Sequence, residues 1–465
     1  MIRVKWLVIV SLTSLVLASC SIFKGPVKES FTCALPLVNN QSDTLNIEIK
    51  VDGSSSMLGY VSDRSSRYVQ TLKYLDRTLS IGGLRSNTSE PKYYRSSKSI
   101  TRSDFKKAQQ PSFYDGSNSK FPNISVPIQE FITPPGETDT LLAIVTDLDQ
   151  AEGDVTILLK KIKETYLNKD QQGYAVGIWA IKSEFRGTVY VQKQSGRIQR
   201  FYFPNQQSTD RNRPFYVIFI GLYQDINRFF ENLSNNNQNL LNESELAIFS
   251  PNNVVKEISY LDKDIESGPQ KKQARSKEWS LKYKNLVKVQ AQDEKSQLWE
   301  IYSRQTETFD IQNRVNLALF NYTLPIETSS ITLKPNIRVF NKYSKKFQES
   351  DDSSLKSAIK IGQWNIDNTE QTNGQGKLGF TSTIQPDKLP EPGIYLFTFD
   401  IVAKKLQEPE WWNEWSWTAN RDSNLDGSKT HNLSEFLRGL KTITTNLMEK
   451  NPPIIGRFCY AIQKN

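Results

Sequence analysis

The chain has 465 residues, of which 37% are hydrophobic and 11% aromatic, so it is long enough for two or three packed domains and too apolar for a disordered protein. Its 59 basic and 50 acidic side chains give a formal net charge of +9, a mild excess from which we expect no nucleic-acid partner. The single histidine, His431, excludes a zinc site built from several histidines.

The first residues are typical of an export signal. A basic stretch that ends at Lys5 precedes an apolar stretch, residues 6–18, which is about the length of a signal-peptide core and too short for a comfortable membrane span. The sequence LASC that follows resembles a bacterial lipobox. The resemblance implies that residues 1–19 are a cleaved lipoprotein signal peptide and that Cys20 is lipidated.

The same resemblance predicts a location and one partner. We expect a protein of the bacterial cell envelope that is anchored to the membrane by its N-terminal lipid, on the periplasmic side of the outer membrane if the cell is Gram-negative. No second apolar run of about 18 residues follows, so we expect the rest of the chain to lie outside the bilayer.

Two cysteines are left once Cys20 is lipidated. Cys33 and Cys459 both lie in stretches that read as strands, at opposite ends of the chain. Outside the cytoplasm such a pair can form a disulfide, and two separate buried thiols are the alternative. The sequence leaves both open, because it does not place the two Cα atoms.

Residues 20–44 are expected to form a lipid-anchored tether and a first strand, and residues 45–235 an α/β domain. Apolar runs predict strands in that domain, and helical spacing of apolar residues predicts helices between them. The predicted strands cover residues 45–52, 140–147, 173–181 and 214–222, and the predicted helices cover 65–81, 154–167 and 223–233. This alternation predicts a mostly parallel, Rossmann-like sheet with helices on both faces.

Three further segments are expected after this domain. Residues 236–297 are rich in polar residues and predict a linker or extended arm. Residues 298–405 contain short strands separated by turns, which is typical of an immunoglobulin-like β-sandwich. Residues 406–465 contain a tryptophan-rich stretch and a C-terminal helix. The four tryptophans between 411 and 417 are interpreted as packing against a neighbouring domain, with sugar or partner stacking as the alternative.

The chemistry concentrates in the stretch IKVDGSSSMLGYV. Asp52, Ser54 and Ser56 follow a predicted strand directly, and Asp147 ends a later one. Because parallel strands have their carboxyl ends at one edge of a sheet, we expect the two carboxylates to meet there. Oxygen atoms of carboxylates and hydroxyls are the ligands that Mg²⁺ prefers.

This arrangement resembles a von Willebrand factor type A (VWA) domain with its metal-ion-dependent adhesion site. The first family element, D-x-S-x-S-M, is matched in full and ends at Met57. The last element is matched by Thr146 and Asp147, with Leu148 where the family often has glycine. The resemblance covers residues 45–235.

The middle element of the family is a threonine, and this chain departs from it. The sequence DGSN offers Ser117 in its place, 30 residues before Asp147, which leaves room for a helix and a strand. Ser119 is a competitor. Thr138 has the matching side chain but lies too close to the strand that ends at Asp147.

The resemblance implies a non-enzymatic binding protein. Asp52, Ser54, Ser56, Ser117 and Asp147 would hold Mg²⁺, or Mn²⁺ or Ca²⁺, and an acidic residue of a protein partner would complete the coordination. Two alternatives are a metal-dependent phosphoester hydrolase that uses Ser54 or Ser56, and a structural envelope lipoprotein with a degenerate metal site.

Overall fold

The computed structural model describes most of the chain between Gly25 and Asn465. Residues 1–24, which contain the predicted signal peptide and Cys20, lie outside this range. In the described part of the chain, no helix combines the length and apolar character needed to span a membrane. The described residues are 25–35, 42–80, 84–136, 139–149, 152–168, 173–192, 198–204, 210–242, 244–255, 258–261, 280–293, 295–301, 306–318, 322–362, 364–367, 375–417 and 426–465.

The described chain is a mixed α/β protein whose strands form several sheets, none closed into a barrel. The strands are β1 (Val27–Phe31), β2 (Thr44–Val51), β3 (Asn87–Thr88), β4 (Lys92–Arg95), β5 (Lys98–Ile100), β6 (Asp139–Thr146), β7 (Tyr174–Glu184), β8 (Gly187–Gln192), β9 (Ile198–Phe203), β10 (Asn212–Leu222), β11 (Ser244–Phe249), β12 (Ser280–Tyr283), β13 (Val287–Ala291), β14 (Ser296–Ile301), β15 (Phe309–Ala318), β16 (Thr332–Asn341), β17 (Lys346–Glu349), β18 (Ile359–Ile361), β19 (Asn365–Asp367), β20 (Gln375–Ile384), β21 (Gly393–Val402), β22 (Ser416–Trp417), β23 (Thr430–His431) and β24 (Ile454–Lys464). The α-helices are α1 (Arg67–Ser80), α2 (Arg102–Phe105), α3 (Glu152–Ile162), α4 (Tyr223–Asn236), α5 (Gln238–Leu241), α6 (Ser353–Ala358), α7 (Trp411–Glu414) and α8 (Leu433–Lys450).

An eight-stranded sheet forms the first half of the protein, in the order β11-β7-β10-β6-β2-β4-β5, with β3 paired to β2. Strands β4, β2 and β6 are parallel neighbours, whereas β10 is antiparallel to both β6 and β7. The sheet is therefore mixed, which corrects the expectation of a mostly parallel one. The reason is the connection from β7 to β10, which carries the hairpin β8–β9 in place of a crossover helix, so that β10 returns alongside β7.

Helices cover both faces of this sheet. On one face, α1 and α4 contribute Leu72, Leu75 and Phe229 to a cluster that includes Trp179 of β7. On the other face, α3 packs beneath the C-terminal helix α8. The two helices approach closely at Gly439, where an added Cβ would lie 2.2 Å from Leu159 Cδ1. The predicted C-terminal helix is confirmed and completes the α/β layer.

The second half of the protein is a β-sandwich. A five-stranded sheet, in the order β14-β24-β21-β16-β17, faces a four-stranded sheet built from β15, β20, β18 and β19. Side chains of β21 alternate between two cores, as expected for a strand covered on both faces. Tyr395, Phe397 and Phe399 join the core between these sheets, whereas Ile394 and Leu396 face the three-stranded sheet β1-β13-β12.

The segment after the α/β domain differs from the sequence-based expectation. Residues 236–297 were expected to be a linker, yet β11 joins the eight-stranded sheet and β12 and β13 form most of the three-stranded one. Their apolar residues alternate with polar ones, so low overall hydrophobicity conceals strands with one buried face.

The tryptophans between 411 and 417 are all buried, and Trp412 stacks on Phe249 with ring centroids 5.8 Å apart.

Cys33 and Cys459 form a disulfide with their Cα atoms 5.8 Å apart. Both side chains are fully buried in the cluster beneath the three-stranded sheet. The bond therefore joins the segment after β1 to the middle of the sandwich.

We expect replacement of both Cys33 and Cys459 by alanine to lower the free energy of unfolding by about 2–5 kcal/mol, because the bond constrains a very long loop in the unfolded chain. Urea unfolding of the double variant and the wild type measures the difference. As a control, the reductant dithiothreitol should destabilise the wild type and leave the double variant unchanged. Equal stability of the oxidised wild type and the double variant would contradict the expectation.

Candidate metal centre

The first feature of the site is the meeting of two strand ends. Strands β2 and β6 run parallel, with Val51 paired to Val145, and the Asp52 backbone N–H donates to the Val145 carbonyl at 2.9 Å. The residues that follow each strand therefore lie side by side, which brings Asp52 to Thr146 and Asp147. Asp52 is 7% exposed and Asp147 4% exposed.

Hydroxyl groups connect the two carboxylates. Asp52 accepts hydrogen bonds from the Ser54 backbone N–H at 2.9 Å and from Thr146 Oγ1 at 3.2 Å. The Oγ atoms of Ser54 and Ser56 lie 2.9 Å apart, and interaction with the Ser56 hydroxyl lowers the pKa of Asp147 against its burial. The structure thus brings together four of the five residues predicted from the sequence and adds Thr146.

Ser117, the fifth predicted residue, lies elsewhere in its loop. Its side chain is exposed, and its backbone N–H donates to Asp115 Oδ1 at 2.8 Å in a tight turn. Among the described contacts, Ser117 has none with the two acids, and Ser119 is exposed as well. The hydroxyl that lies beside the acids is instead that of Thr146, the residue before Asp147, and its Oγ1 donates to Asp52. Thr138 lies outside the described residues.

The buried carboxylates of Asp52 and Asp147 repel each other, and the pKa of each is raised. Burial and, next, the negative charge of Asp147 raise the pKa of Asp52 to about 6, against the hydrogen bonds from Ser54 and Thr146. Burial and, next, repulsion from Asp149 raise the pKa of Asp147 to about 6, while attraction by Arg213 opposes both. Two buried carboxylates that repel each other at neutral pH form a site that favours a cation.

A third acid, Asp149, is held by protein groups at the same edge of the sheet. We call this edge, formed by the carboxyl ends of β2 and β6, the rim. Asp149 forms a buried ion pair with Arg213, and it accepts a hydrogen bond from the His431 backbone N–H at 3.1 Å. Arg213 also donates to the carbonyls of Gly427 at 2.9 Å and Lys429 at 3.1 Å. This arginine therefore holds the segment before α8 against the rim.

A second buried arginine organises the other side. Arg95, the last residue of β4, donates to the carbonyls of Gly53, Phe113 and Pro122 at 2.9–3.2 Å. A Cβ on Gly53 would lie 2.7 Å from the Arg95 side chain, so only glycine fits at this position of the motif. Arg95 thereby fixes the loop after Asp52 to the loop that carries Ser117.

The backbone after the second acid adopts an uncommon conformation. Leu148 has a φ of 55°, in the left-handed region that glycine adopts readily and that bulky residues rarely enter. Its backbone N–H donates to Thr146 Oγ1 at 3.2 Å, so the turn folds back on the site. Such strain is retained where the surrounding structure requires it, which is common at functional sites.

The sequence analysis matched Thr146 to the last family element without placing it among the metal ligands, and it did not identify Arg95, Asp149 or Arg213. Thr146 had a signal, because it directly precedes the predicted acid at the end of β6. The two arginines had none, because their partners are backbone carbonyls and an acid distant in sequence. Among the described residues, no cluster of three or more His, Cys, Asp or Glu side chains forms a metal site. The candidate centre consists of two carboxylates and several hydroxyls.

The motif loop continues into a short 3-10 helix, Ser55–Val61, which is wedged against the hairpin β8–β9. The backbone N–H of Arg186 donates to the Gly59 carbonyl at 3.0 Å. A Cβ added to Gly59 would lie 2.4 Å from the Phe185 ring, and one on Gly187 would lie 3.0 Å from Gly59 Cα. The hairpin thus contacts the segment that carries Ser56.

No protein-family model, curated protein or solved structure matches this chain.

We expect Asp52→Asn to raise the free energy of unfolding by about 1–3 kcal/mol at pH 7.5 in the presence of a chelator, because it removes one of two buried, repelling charges. The folded-state pKa of about 6 is above that of an unfolded aspartate, so the wild type loses stability as the pH rises from about 4 to about 6. The two proteins should therefore converge near pH 4. Urea unfolding across this range measures the difference, and identical pH profiles would contradict the repulsion.

We expect Gly59→Ala to destabilise the protein by about 1–3 kcal/mol, because the methyl group overlaps the Phe185 ring. Gly393→Ala is the matched control, since a Cβ there meets no atom within 4 Å. Thermal unfolding of both variants measures the effect. A Gly59 variant as stable as the Gly393 variant would show that Phe185, which precedes the hairpin, does not pack tightly against the motif loop.

Proposed function

We propose that this protein is a lipid-anchored envelope protein that binds an acidic group of a protein partner through a metal-ion-dependent adhesion-type site. One observation carries the proposal. Asp52 and Asp147 lie at the carboxyl ends of adjacent parallel strands, next to the hydroxyls of Ser54, Ser56 and Thr146.

The arrangement of the sheet supports a VWA-like reading of residues 45–235. Strand β2 lies between β4 and β6 and runs parallel to both, with the D-x-S-x-S-M motif after it and Thr146-Asp147 at the end of β6. Antiparallel β10 is a departure from that reading. The immunoglobulin-like type of the sandwich and the lipid on Cys20 belong to the same proposal.

The donor set fits a hard divalent cation. Mg²⁺ takes about six oxygen ligands and keeps some of its water, so two carboxylates and two or three hydroxyls leave a position for an incoming ligand. The bound ion would supply positive charge that neutralises the two acids and attracts a carboxylate of the partner. Asp52 and Asp147 would hold the ion, while Ser54 and Ser56 would orient it.

The surrounding charges agree with this role. Arg213 is paired with Asp149, and Arg95 donates to backbone carbonyls, so both arginines are bound beside the pair of acids rather than between them. The motif side is the more open one, since Ser55 is exposed and Ser54 and Ser56 are half-buried. A partner would approach from that side.

We expect Mg²⁺ or Mn²⁺ to stabilise the wild type by about 2.7 kcal/mol at a hundred times the dissociation constant, because the ion binds the folded state alone. Asp52→Ala should abolish this gain, and Ser117→Ala should leave it intact. Asp351→Ala, at an exposed acid far along the chain, is the control. Thermal unfolding with and without metal provides the measurement.

The pH dependence gives the same test a second readout. Protons compete with the metal for the two acids, so the gain should shrink as the pH falls through about 6. No metal response at pH 7.5 would overturn the site. Hydrolysis of a generic phosphoester that is lost in Ser54→Ala would favour an enzyme instead.

A further inference from the structure

The hairpin β8–β9 presents a face that the proposed metal site does not use. Its strands pair with each other and with no other described strand, in a register that sets Thr188 opposite Tyr202 and Tyr190 opposite Arg200. The inner face is anchored, because Val189 and Val191 are buried in the core of the α/β domain. The hairpin is therefore a fixed projection from the rim.

The outer face is apolar, aromatic and basic. Ile198 is 64% exposed and Tyr202 53% exposed, which is unusual for side chains of this size, and Arg200 lies exposed between them. Arg186 donates through Nε to Tyr202 Oη at 3.2 Å, so a second arginine borders the same face. Tyrosine and arginine are enriched at the centres of protein interfaces.

The charge of the hairpin selects its partner. The sequence from 185 to 203 contains four basic residues, Arg186, Lys193, Arg197 and Arg200, and no acidic residue. Among the described residues, Arg186 and Arg200 place two positive charges and no negative one at this face, which is complementary to an acidic segment. An acidic segment is also what the metal site requires of its ligand.

The hairpin contacts the segment that carries the metal motif. The backbone of Gly187 meets that of Gly59 in the 3-10 helix that begins at Ser55, one residue before Ser56. Under this inference, a chain that places a carboxylate on the metal would continue toward the hairpin. Long-range attraction to the arginines would also speed its approach.

We propose that the outer face of β8–β9 is the specificity surface of this protein, which binds acidic residues that flank the metal-binding carboxylate of a protein partner. The inference rests on the proposed function and deepens it. Arg186 and Arg200 would pair with the flanking acids, and Tyr202 and Ile198 would pack against apolar side chains between them.

The test is a selection of phage-displayed peptides, each with one fixed aspartate and randomised flanks, on the full chain with millimolar Mg²⁺. The wild type should enrich acidic flanks, and Arg200→Glu should weaken binding of a synthetic peptide with such flanks by about tenfold, because a like charge now faces it. Arg314→Glu and Tyr343→Ala are matched controls, since both residues are exposed on the sandwich and should change nothing. Thermal unfolding checks that each variant is folded.

The outcomes separate the two proposals. Capture that needs Mg²⁺ and Asp52 but is equal in the wild type and Arg200→Glu would overturn the hairpin surface and leave the metal site standing. Selection of acidic flanks that survives Asp52→Ala but is lost in Arg200→Glu would support the surface and refute the metal site. A wild type that enriches no peptide would overturn both.

A membrane surface is the competing occupant of a basic, aromatic hairpin. Vesicles of phosphatidylcholine with and without phosphatidylglycerol test it by co-sedimentation. Binding to the anionic vesicles that Arg200→Glu weakens, together with peptide selection that the same variant leaves intact, would overturn the assignment to a protein partner. Equal sedimentation of the wild type and the variant would support it.

Discussion

The repulsion between Asp52 and Asp147 is the constraint around which the first half of this protein is arranged. Parallel pairing of β2 and β6 leaves the two acids side by side, and burial removes the water that would screen them. The fold accepts this cost where a hydrophobic pair would be more stable. A site that stays unfavourable until a cation arrives has a thermodynamic reason to bind one.

The neighbouring arginines hold the loops around the acids in place. Arg95 fixes the loop after Asp52, and Arg213 fixes the segment before α8 through Asp149 and two carbonyls. Each is buried and uses several donors, which suits the planar guanidinium better than a lysine ammonium. The rim is thus rigid on two sides, while the motif loop with Ser54 and Ser56 faces solvent.

How much of this the sequence could predict depended on how local each signal was. Asp52, Ser54, Ser56 and Asp147 follow apolar strands directly, and the rule that parallel strands end at one edge places them together. The position of Ser117 depended on the path of a long loop, which short-range patterns do not define. The direction of β10 was mispredicted because an apolar run does not show which way its strand runs in the sheet. The connection from β7 to β10 carries the hairpin β8–β9 and no crossover helix, so β10 lies antiparallel to β7.

The placement of β24 has a consequence for how the chain is made. This strand lies between β14 and β21, and β14 precedes it by more than a hundred and fifty residues in the sequence. A ribosome that has produced everything through β21 has therefore not yet supplied the middle of the sandwich. A nonsense codon shortly before Ile454 would leave two strands without their neighbour and Cys33 without its partner. Such a truncated product would expose apolar strand edges and would therefore be prone to aggregation and proteolysis.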